Sequence, residues 1–241
     1  HVIKFTYNKK GNVLTRTIIW NNGTTDVVKY TYNDKGKLLS ETITLSDGTS
    51  EERTYNEKGD MLTETITQSN GSGTVTKFTY NEEGDMLTET RTWSNGYREE
   101  RTYNKKGGIL TKTITWGNGS ITKFTYNDEG KLLTVTITWG DGFTKFTYND
   151  EGKLLSETTT WSDGIIEECT YNEEGNILTI TITWSNGSIN KFIYNDKGEL
   201  LTETITDSDV TIEECPFNEE GDILTKTITD SDGNTTSVLT N

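Results

Sequence analysis

The chain has 241 residues, of which 38 are Asp or Glu and 23 are Lys or Arg, giving a formal charge of −15 at pH 7. Thr occurs 47 times and Ala is absent, which excludes a helical protein because β-branched Thr favours strands. No apolar run approaches the roughly 20 residues of a membrane-spanning helix, so membrane insertion is excluded. The excess of acid argues against a nucleic-acid partner, which requires clustered Lys and Arg.

A repeat of about 23 residues runs along the whole chain. An aromatic residue followed by Asn marks each copy, at Tyr7, Tyr32, Tyr55, Tyr80, Tyr103, Tyr126, Tyr148, Tyr171, Tyr194 and Phe217. Consecutive copies are spaced by 25, 23, 25, 23, 23, 22, 23, 23 and 23 residues. Three residues after each Asn comes a glycine that we assign to a turn: Gly11, Gly36, Gly59, Gly84, Gly107, Gly130, Gly152, Gly175, Gly198 and Gly221.

Asn-Gly or Asp-Gly marks a second turn about midway in nine of the ten copies, and the tenth has Asp209-Val210 instead. Between turns, segments such as 133–139 alternate at period two, which is typical of strands. We therefore predict an all-β fold of about ten tandem β-hairpins in one long antiparallel meander, coiled into a spiral, shell or solenoid. The array spans 1–241 as one domain, with degenerate last copies as a cap, and we expect it to be a segment of a larger protein.

The turn spacing also assigns side chains to faces, if Asn-x-x-Gly is a four-residue loop and Ser-Asn-Gly a three-residue loop. One face then carries Leu178, Ile182, Trp184, Phe192 and Tyr194, and the other carries Thr179, Thr181, Thr183 and Lys191. The 22-residue copy keeps this arrangement if Asp141-Gly142 forms a two-residue turn. We expect the aromatic side to face inward or to meet another sheet, because an exposed apolar face of this size is unstable.

The unit at 122–142 reads Thr-Lys-Phe-Thr-Tyr-Asn-Asp-Glu-Gly-Lys-Leu-Leu-Thr-Val-Thr-Ile-Thr-Trp-Gly-Asp-Gly. It resembles the YD repeat of rearrangement-hotspot (RHS) proteins, roughly Tyr-x-Tyr-Asp-x-x-Gly-x-Leu-Thr followed by Pro-Asp-Gly. The resemblance covers essentially the whole chain, with Asn in place of Asp and with Ser or Gly in place of Pro. It implies an extracellular or cell-surface protein whose repeats form a β-strand shell. The family's terminal toxin and self-cleavage motif are absent from this sequence.

Six tryptophans recur at the strand end before the second turn: Trp20, Trp93, Trp116, Trp139, Trp161 and Trp184. Aromatic rings in a row are suited to stacking on sugars, and the repeat has a weaker resemblance to the carbohydrate-binding hairpin repeats of clostridial toxins and choline-binding proteins. Because Trp shares its face with Leu, Ile and Tyr, core packing is the favoured interpretation and a ligand platform is the alternative.

Neither the acidic turns nor the cysteines indicate a metal site or a cofactor. The turns, such as 149–152, do not match a known Ca²⁺-binding loop. Cys169 and Cys215 occupy the same position two copies apart, about 19 Å along a sheet, which is too far for a disulfide. We therefore expect buried thiols.

The sequence contains no catalytic constellation, and its only histidine is His1. The leading hypothesis is a non-enzymatic, extracellular or cell-surface β-repeat scaffold or shell module that binds protein partners or associates with itself. The alternative is a carbohydrate-binding module that uses the Trp and Tyr rings as platforms, which requires exposed tryptophans.

Overall fold

A computed structural model describes residues 1–207, 212–218, 224–230 and 232–239, with the backbone alone at 212–214 and 238–239. The described residues form 21 β-strands and no helix that could span a membrane. They divide into two units, His1–Asn118 and Gly119–Asn241. Within each unit, each strand pairs antiparallel with the strand that follows it in the sequence.

The first unit contains ten strands. They are β1 (Val2–Tyr7), β2 (Val13–Ile19), β3 (Thr25–Tyr32), β4 (Leu38–Thr44), β5 (Ser50–Tyr55), β6 (Met61–Thr67), β7 (Gly73–Tyr80), β8 (Met86–Trp93), β9 (Arg98–Tyr103) and β10 (Ile109–Thr115). The two extra residues of each 25-residue copy lengthen β3 and β7 to eight residues.

The second unit has eleven described strands. They are β11 (Ile121–Tyr126), β12 (Leu132–Trp139), β13 (Gly142–Tyr148), β14 (Leu154–Thr160), β15 (Ile166–Tyr171), β16 (Ile177–Thr183), β17 (Ile189–Tyr194), β18 (Leu200–Thr206), β19 (Ile212–Pro216), β20 (Thr225–Thr229) and β21 (Thr235–Leu239). The prediction of an all-β antiparallel meander of tandem hairpins is confirmed.

The turn that follows each Tyr-Asn pair is tighter than the predicted four-residue loop. At Asn195 the backbone N–H donates to the carbonyl of Glu199, which leaves three residues in the loop, and Gly198 N–H closes a β-turn onto the Asn195 carbonyl. The Asn195 side-chain oxygen accepts two further backbone N–H groups, at 2.9 and 3.0 Å. These hydrogen bonds explain why Asn occupies this position. Its side-chain oxygen accepts backbone N–H groups that have no backbone acceptor within the loop.

The register then shifts by one residue beyond this turn. Ile193 pairs with Thr202, whereas Tyr194 pairs with Leu200 and leaves Leu201 as the extra residue of a β-bulge. The first aliphatic residue after the glycine, here Leu200, therefore lies on the same face as Tyr194. Leu201 is exposed, as is its equivalent Leu155.

At the opposite end of the hairpins, most of the described turns are the predicted three-residue loop. Trp184 N–H donates to the Ser188 carbonyl at 2.9 Å, and Gly187 takes a φ of 88° that glycine adopts without strain. In the 22-residue copy the two-residue turn consists of Gly140-Asp141, one residue earlier than predicted, because Trp139 pairs directly with Gly142.

Beyond the bulge, the two faces of the sheet are as predicted. Ile180 pairs with Phe192 on what we call the aromatic face, and Thr181 pairs with Lys191 on the threonine face. On the threonine face, hydroxyl groups of neighbouring strands hydrogen-bond across seven hairpins, at 2.6 to 2.8 Å. Such cross-strand pairs stabilise a sheet without a covering layer.

Each unit is a single layer of strands. Among the described residues, strands of one unit contact only the strands before and after them. The buried side chains are accordingly few, and Val28, Ile114 and Val135 are the aliphatic ones. Of the two expected arrangements, a second sheet packed on the aromatic face is therefore absent among the described residues of each unit.

Candidate functional site

The tryptophans lie on the aromatic face at the ends of the long strands, but most are not buried. Trp20, Trp116, Trp139, Trp161 and Trp184 are 38% to 46% exposed, and Trp93 is half-buried. The expectation of core packing is therefore wrong for these five. The strand alternation correctly places Trp beside Ile and Tyr, but one layer of strands leaves that face open to solvent.

Three aromatic rings form a cluster at the end of β8 to β10. Tyr97 stands between Trp93 and Trp116, with ring centroids 4.7 and 5.4 Å away and edge-on contacts in both cases. The Arg91 guanidinium lies 5.7 Å from the centre of the Trp93 ring, a cation–π distance. An open groove of about 420 Å³ adjoins Trp93 and is lined by neutral polar groups, including Gln68, Ser72, Ser94 and Asn95.

The indole N–H groups of two tryptophans are used within the sheet. Trp20 Nε1 donates to Asp26 Oδ2 at 2.6 Å, and the other Asp26 oxygen accepts the Ser46 backbone N–H of the next hairpin turn. These hydrogen bonds lower the pKa of Asp26, the bond from Trp20 having the larger effect. Trp184 Nε1 donates to Asn190 at 3.3 Å.

Ion pairs occupy the middle of the aromatic face in the first unit. Arg53 on β5 lies between Glu41 and Glu64 of the neighbouring strands, at 3.6 and 3.0 Å, and contacts Glu51 of its own strand at 2.7 Å. These side chains are only 20% to 30% exposed. One guanidinium therefore forms ion pairs with three carboxylates at a position partly shielded from solvent.

A second charged group repeats this arrangement two hairpins further on. Arg101 Nη1 lies 2.9 Å from Glu89, its Nη2 pairs with Glu99, and Tyr103 donates its hydroxyl to Glu89 at 2.9 Å. Burial acts to raise the pKa of Glu89, but the hydrogen bonds from Tyr103 and Arg101, with the positive charge of Arg101 and Arg91, hold it below its ordinary value.

The second unit has a thiol where the first has these arginines. Cys169 follows Glu167-Glu168 as Arg53 and Arg101 follow their Glu-Glu pairs, and it is buried. Burial, and then the charge of Glu167, raise the pKa of the Cys169 thiol to about 11. The thiol is therefore protonated at neutral pH and is not a reactive nucleophile. Cys215 is also a buried thiol, as expected for both cysteines.

The glycines assigned to turns lie at the charged end of the hairpins, opposite the tryptophans. Nine of the ten have φ between 80° and 98°, the left-handed region, and Gly221 lies outside the described residues. Adjacent turns are joined, for example by Lys37 Nζ, which donates to the Glu57 carbonyl at 2.7 Å. Among the described residues no three His, Cys, Asp or Glu side chains converge as a metal site would require.

The ion-pair groups and the exposure of the tryptophans are the features that sequence reasoning missed. The sequence does contain a signal for the ion-pair groups. Glu-Glu-Arg-Thr-Tyr occurs at 51–55 and 99–103, and the equivalent segment at 167–171 is Glu-Glu-Cys-Thr-Tyr. This signal predicts an ion pair only when the register of the strands is known, because the register places Glu89 directly across from Arg101.

Comparison with known proteins gives structural neighbours only. No family model matches the chain, and no curated protein matches it. The chain is similar to the TCP domain of SAS-4 (dCPAP) of Drosophila melanogaster, solved in complex with a proline-rich motif of Ana2 (dSTIL). The identity is 19% and the TM-score 0.43, over 69% of this chain and 90% of that chain.

The chain is also similar to toxin-complex structures. TcdB2-TccC3-Cdc42 matches at 11% identity with a TM-score of 0.23, over 98% of this chain and 17% of that one. TcdB2-TccC3-TEV matches at 14% identity with a TM-score of 0.25, over 98% and 15%. The chain thus spans less than a fifth of the length of these toxin chains. All these TM-scores lie below 0.5.

Proposed function

We propose that the chain is a non-enzymatic β-repeat scaffold of the YD-repeat type, extracellular or at a cell surface, that presents its aromatic face to protein partners. The observation that supports this most directly is the uncovered aromatic face, on which large apolar and charged side chains recur at equivalent positions of successive hairpins. Contiguous exposed apolar surface on a folded protein marks an interaction site.

Repetition also favours a scaffold over an enzyme. Catalysis requires different groups held together at one place, whereas the polar groups of this sheet recur from copy to copy. In a repeat array each copy is stabilised mainly by its neighbours, so the number of copies can change without loss of the fold.

Deletion of one complete copy tests the scaffold. Removing residues 172–194 joins Tyr171 to Asn195 and restores a Tyr-Asn pair. We expect a folded β protein whose urea m-value falls by about a tenth, in proportion to the surface removed. The control is deletion of 172–193, which joins Tyr171 to Tyr194 and shifts the following strand by one residue. It should lose the pairing between β15 and the strand that follows and have a lower free energy of unfolding, because the faces of these two strands no longer match. Failure of the whole-copy deletion to fold would contradict the scaffold.

Carbohydrate binding at the tryptophan end is the second candidate function, and the exposure of five tryptophans favours it. The adjoining side chains near Trp93 are neutral and polar, which suits sugar hydroxyl groups. The test is a panel of neutral glycans with the Trp93→Ala and Trp161→Ala variants, where loss of a stacking ring should weaken binding about tenfold. Binding unaffected by both substitutions would exclude the platform.

A further inference from the structure

The charge of the chain is concentrated in the second unit. Residues 1–118 contain 16 Lys and Arg against 15 Asp and Glu, whereas residues 119–241 contain 7 against 23. All five arginines lie in the first unit. The first unit is therefore close to neutral, and the second has the entire negative charge.

The same difference appears at one position of the aromatic face. Five long strands have Glu at this position. Glu64 pairs with Arg53 of the preceding strand and with Thr76 of the next. For the other four, the partner on the next strand is Arg in the first unit and Cys in the second. The pairs are Glu41–Arg53, Glu89–Arg101, Glu157–Cys169 and Glu203–Cys215. In the second unit the carboxylate is kept while the cation that would neutralise it is replaced by an uncharged thiol.

The carboxylates beside Cys169 have hydrogen bonds but no cation. Glu157 accepts the Tyr171 hydroxyl at 3.3 Å, and Glu167 accepts the Cys169 thiol at 3.6 Å. Both side chains are half-buried, and neither forms an ion pair with any described residue. Two ion pairs of the second unit, Lys131–Glu129 and Lys153–Glu151, join residues within turns.

Apolar side chains surround these carboxylates. Phe146 pairs with Glu157 on one side, and Ile180 pairs with Cys169 on the other, followed by Phe192. The exposed Trp161 lies on the same face at the end of β14. A surface of this kind is complementary to a segment that presents both apolar and cationic side chains.

We infer that the aromatic face of the second unit binds an extended, basic segment of a protein partner, with an Arg side chain of that segment beside Glu157 and Glu167. This Arg takes the place that Arg101 has beside Glu89 and Glu99 in the first unit. The inference rests on the proposed scaffold function and adds its partner class. A second copy of the chain is disfavoured as the occupant, because its second unit would repel this one and the arginines at 53 and 101 are already paired.

The test uses a fluorescent peptide of three Arg-Ser-Leu-Ser repeats, in which Arg and Leu point to one side of an extended chain. Its control has citrulline for Arg, which keeps the shape and removes the charge. We expect Glu157→Gln to weaken binding about tenfold, because it removes a charge-assisted hydrogen bond. Glu168→Gln, the same charge change on the threonine face of β15, should weaken it less than about twofold. Cys169→Arg should abolish binding and raise the urea midpoint, because it supplies the missing cation within the chain.

Three results would overturn the inference. Equal losses for Glu157→Gln and Glu168→Gln would mean attraction by net charge alone. Equal binding of the citrulline peptide would mean an apolar surface only, and would leave the scaffold proposal intact. A dimer by light scattering that Glu157→Gln dissociates would identify a second copy as the occupant. The scaffold proposal is decided separately by the deletion of 172–194, so the two failures are distinguishable. Circular dichroism of Glu157→Gln confirms that a loss of binding is not a loss of fold.

Discussion

Replacing Arg101 by Met tests how much the ion pairs of the aromatic face stabilise a single-layer sheet. The variant loses the 2.9 Å pair with Glu89 and the pair with Glu99. Hydrogen bonds to charged groups contribute about 1.5–3 kcal/mol each when partly buried. Glu89 keeps the Tyr103 hydroxyl, and Glu99 keeps Lys112 at 3.2 Å, so the loss is incomplete. With solvent screening at these half-buried sites, we expect a decrease of about 2 kcal/mol in the free energy of unfolding at pH 7.

The pH dependence identifies Glu89 as the source of this energy. Because the pKa of Glu89 is below its ordinary value in the fold, its interactions stabilise the protein above the ordinary Glu pKa and are lost as pH falls through the folded value. The difference between the wild type and Arg101→Met should therefore shrink from pH 7 to about pH 3.

Urea unfolding followed by tryptophan fluorescence measures both quantities. The matched control is Arg98→Met on the same strand, because Arg98 pairs with Glu100 at 2.6 Å on the solvated threonine face. With side chains 49% and 39% exposed, that pair should contribute less than about 0.5 kcal/mol. Equal effects of the two substitutions, or an Arg101→Met effect that does not change with pH, would refute the reasoning.

Three further predictions concern the turns and the thiol. Asn127→Ala should lower the free energy of unfolding by about 1 kcal/mol. Asn127→Asp should be tolerated, because Asp230 accepts the same two backbone N–H groups in its own turn. Gly187→Ala, at a φ of 88°, should cost about 1–2 kcal/mol by urea unfolding, and a neutral effect would contradict the left-handed turn. Alkylation of Cys169 at pH 8, in a Cys215→Ser background, should be about 100-fold slower in the fold than in urea, and equal rates would exclude the raised pKa.

The repeat and the two faces were predictable because both follow from local geometry. A turn glycine every 22 to 25 residues sets the hairpins, and the period-two alternation then places Ile180 and Phe192 on one face. The bulge after the described Asn-x-x-Gly turns was not predictable from spacing, because a three-residue loop plus one unpaired residue leaves as many residues unpaired as a four-residue loop. Only the pairing of Tyr194 with Leu200 distinguishes the two.

The burial of side chains and the pairing of charged groups were less predictable, because both depend on more than one hairpin. The alternation that places Trp161 with apolar neighbours is the same whether or not another layer covers it. Likewise, the sequence of β9 does not show that Arg101 meets Glu89, since that contact joins two strands through their register.

The exchange of Arg for Cys argues for different roles of two otherwise equivalent repeats. If Glu157 served the fold alone, its replacement by a neutral residue would accompany the loss of the Arg, because a half-buried carboxylate without a cation is destabilising. Glu157 is instead kept, although Cys169 replaces the Arg. A single layer of strands leaves that carboxylate within reach of another molecule. The second unit therefore has the carboxylates of this arrangement without the arginine. An Arg supplied by a partner would form with them the contacts that Arg101 makes with Glu89 and Glu99 in the first unit.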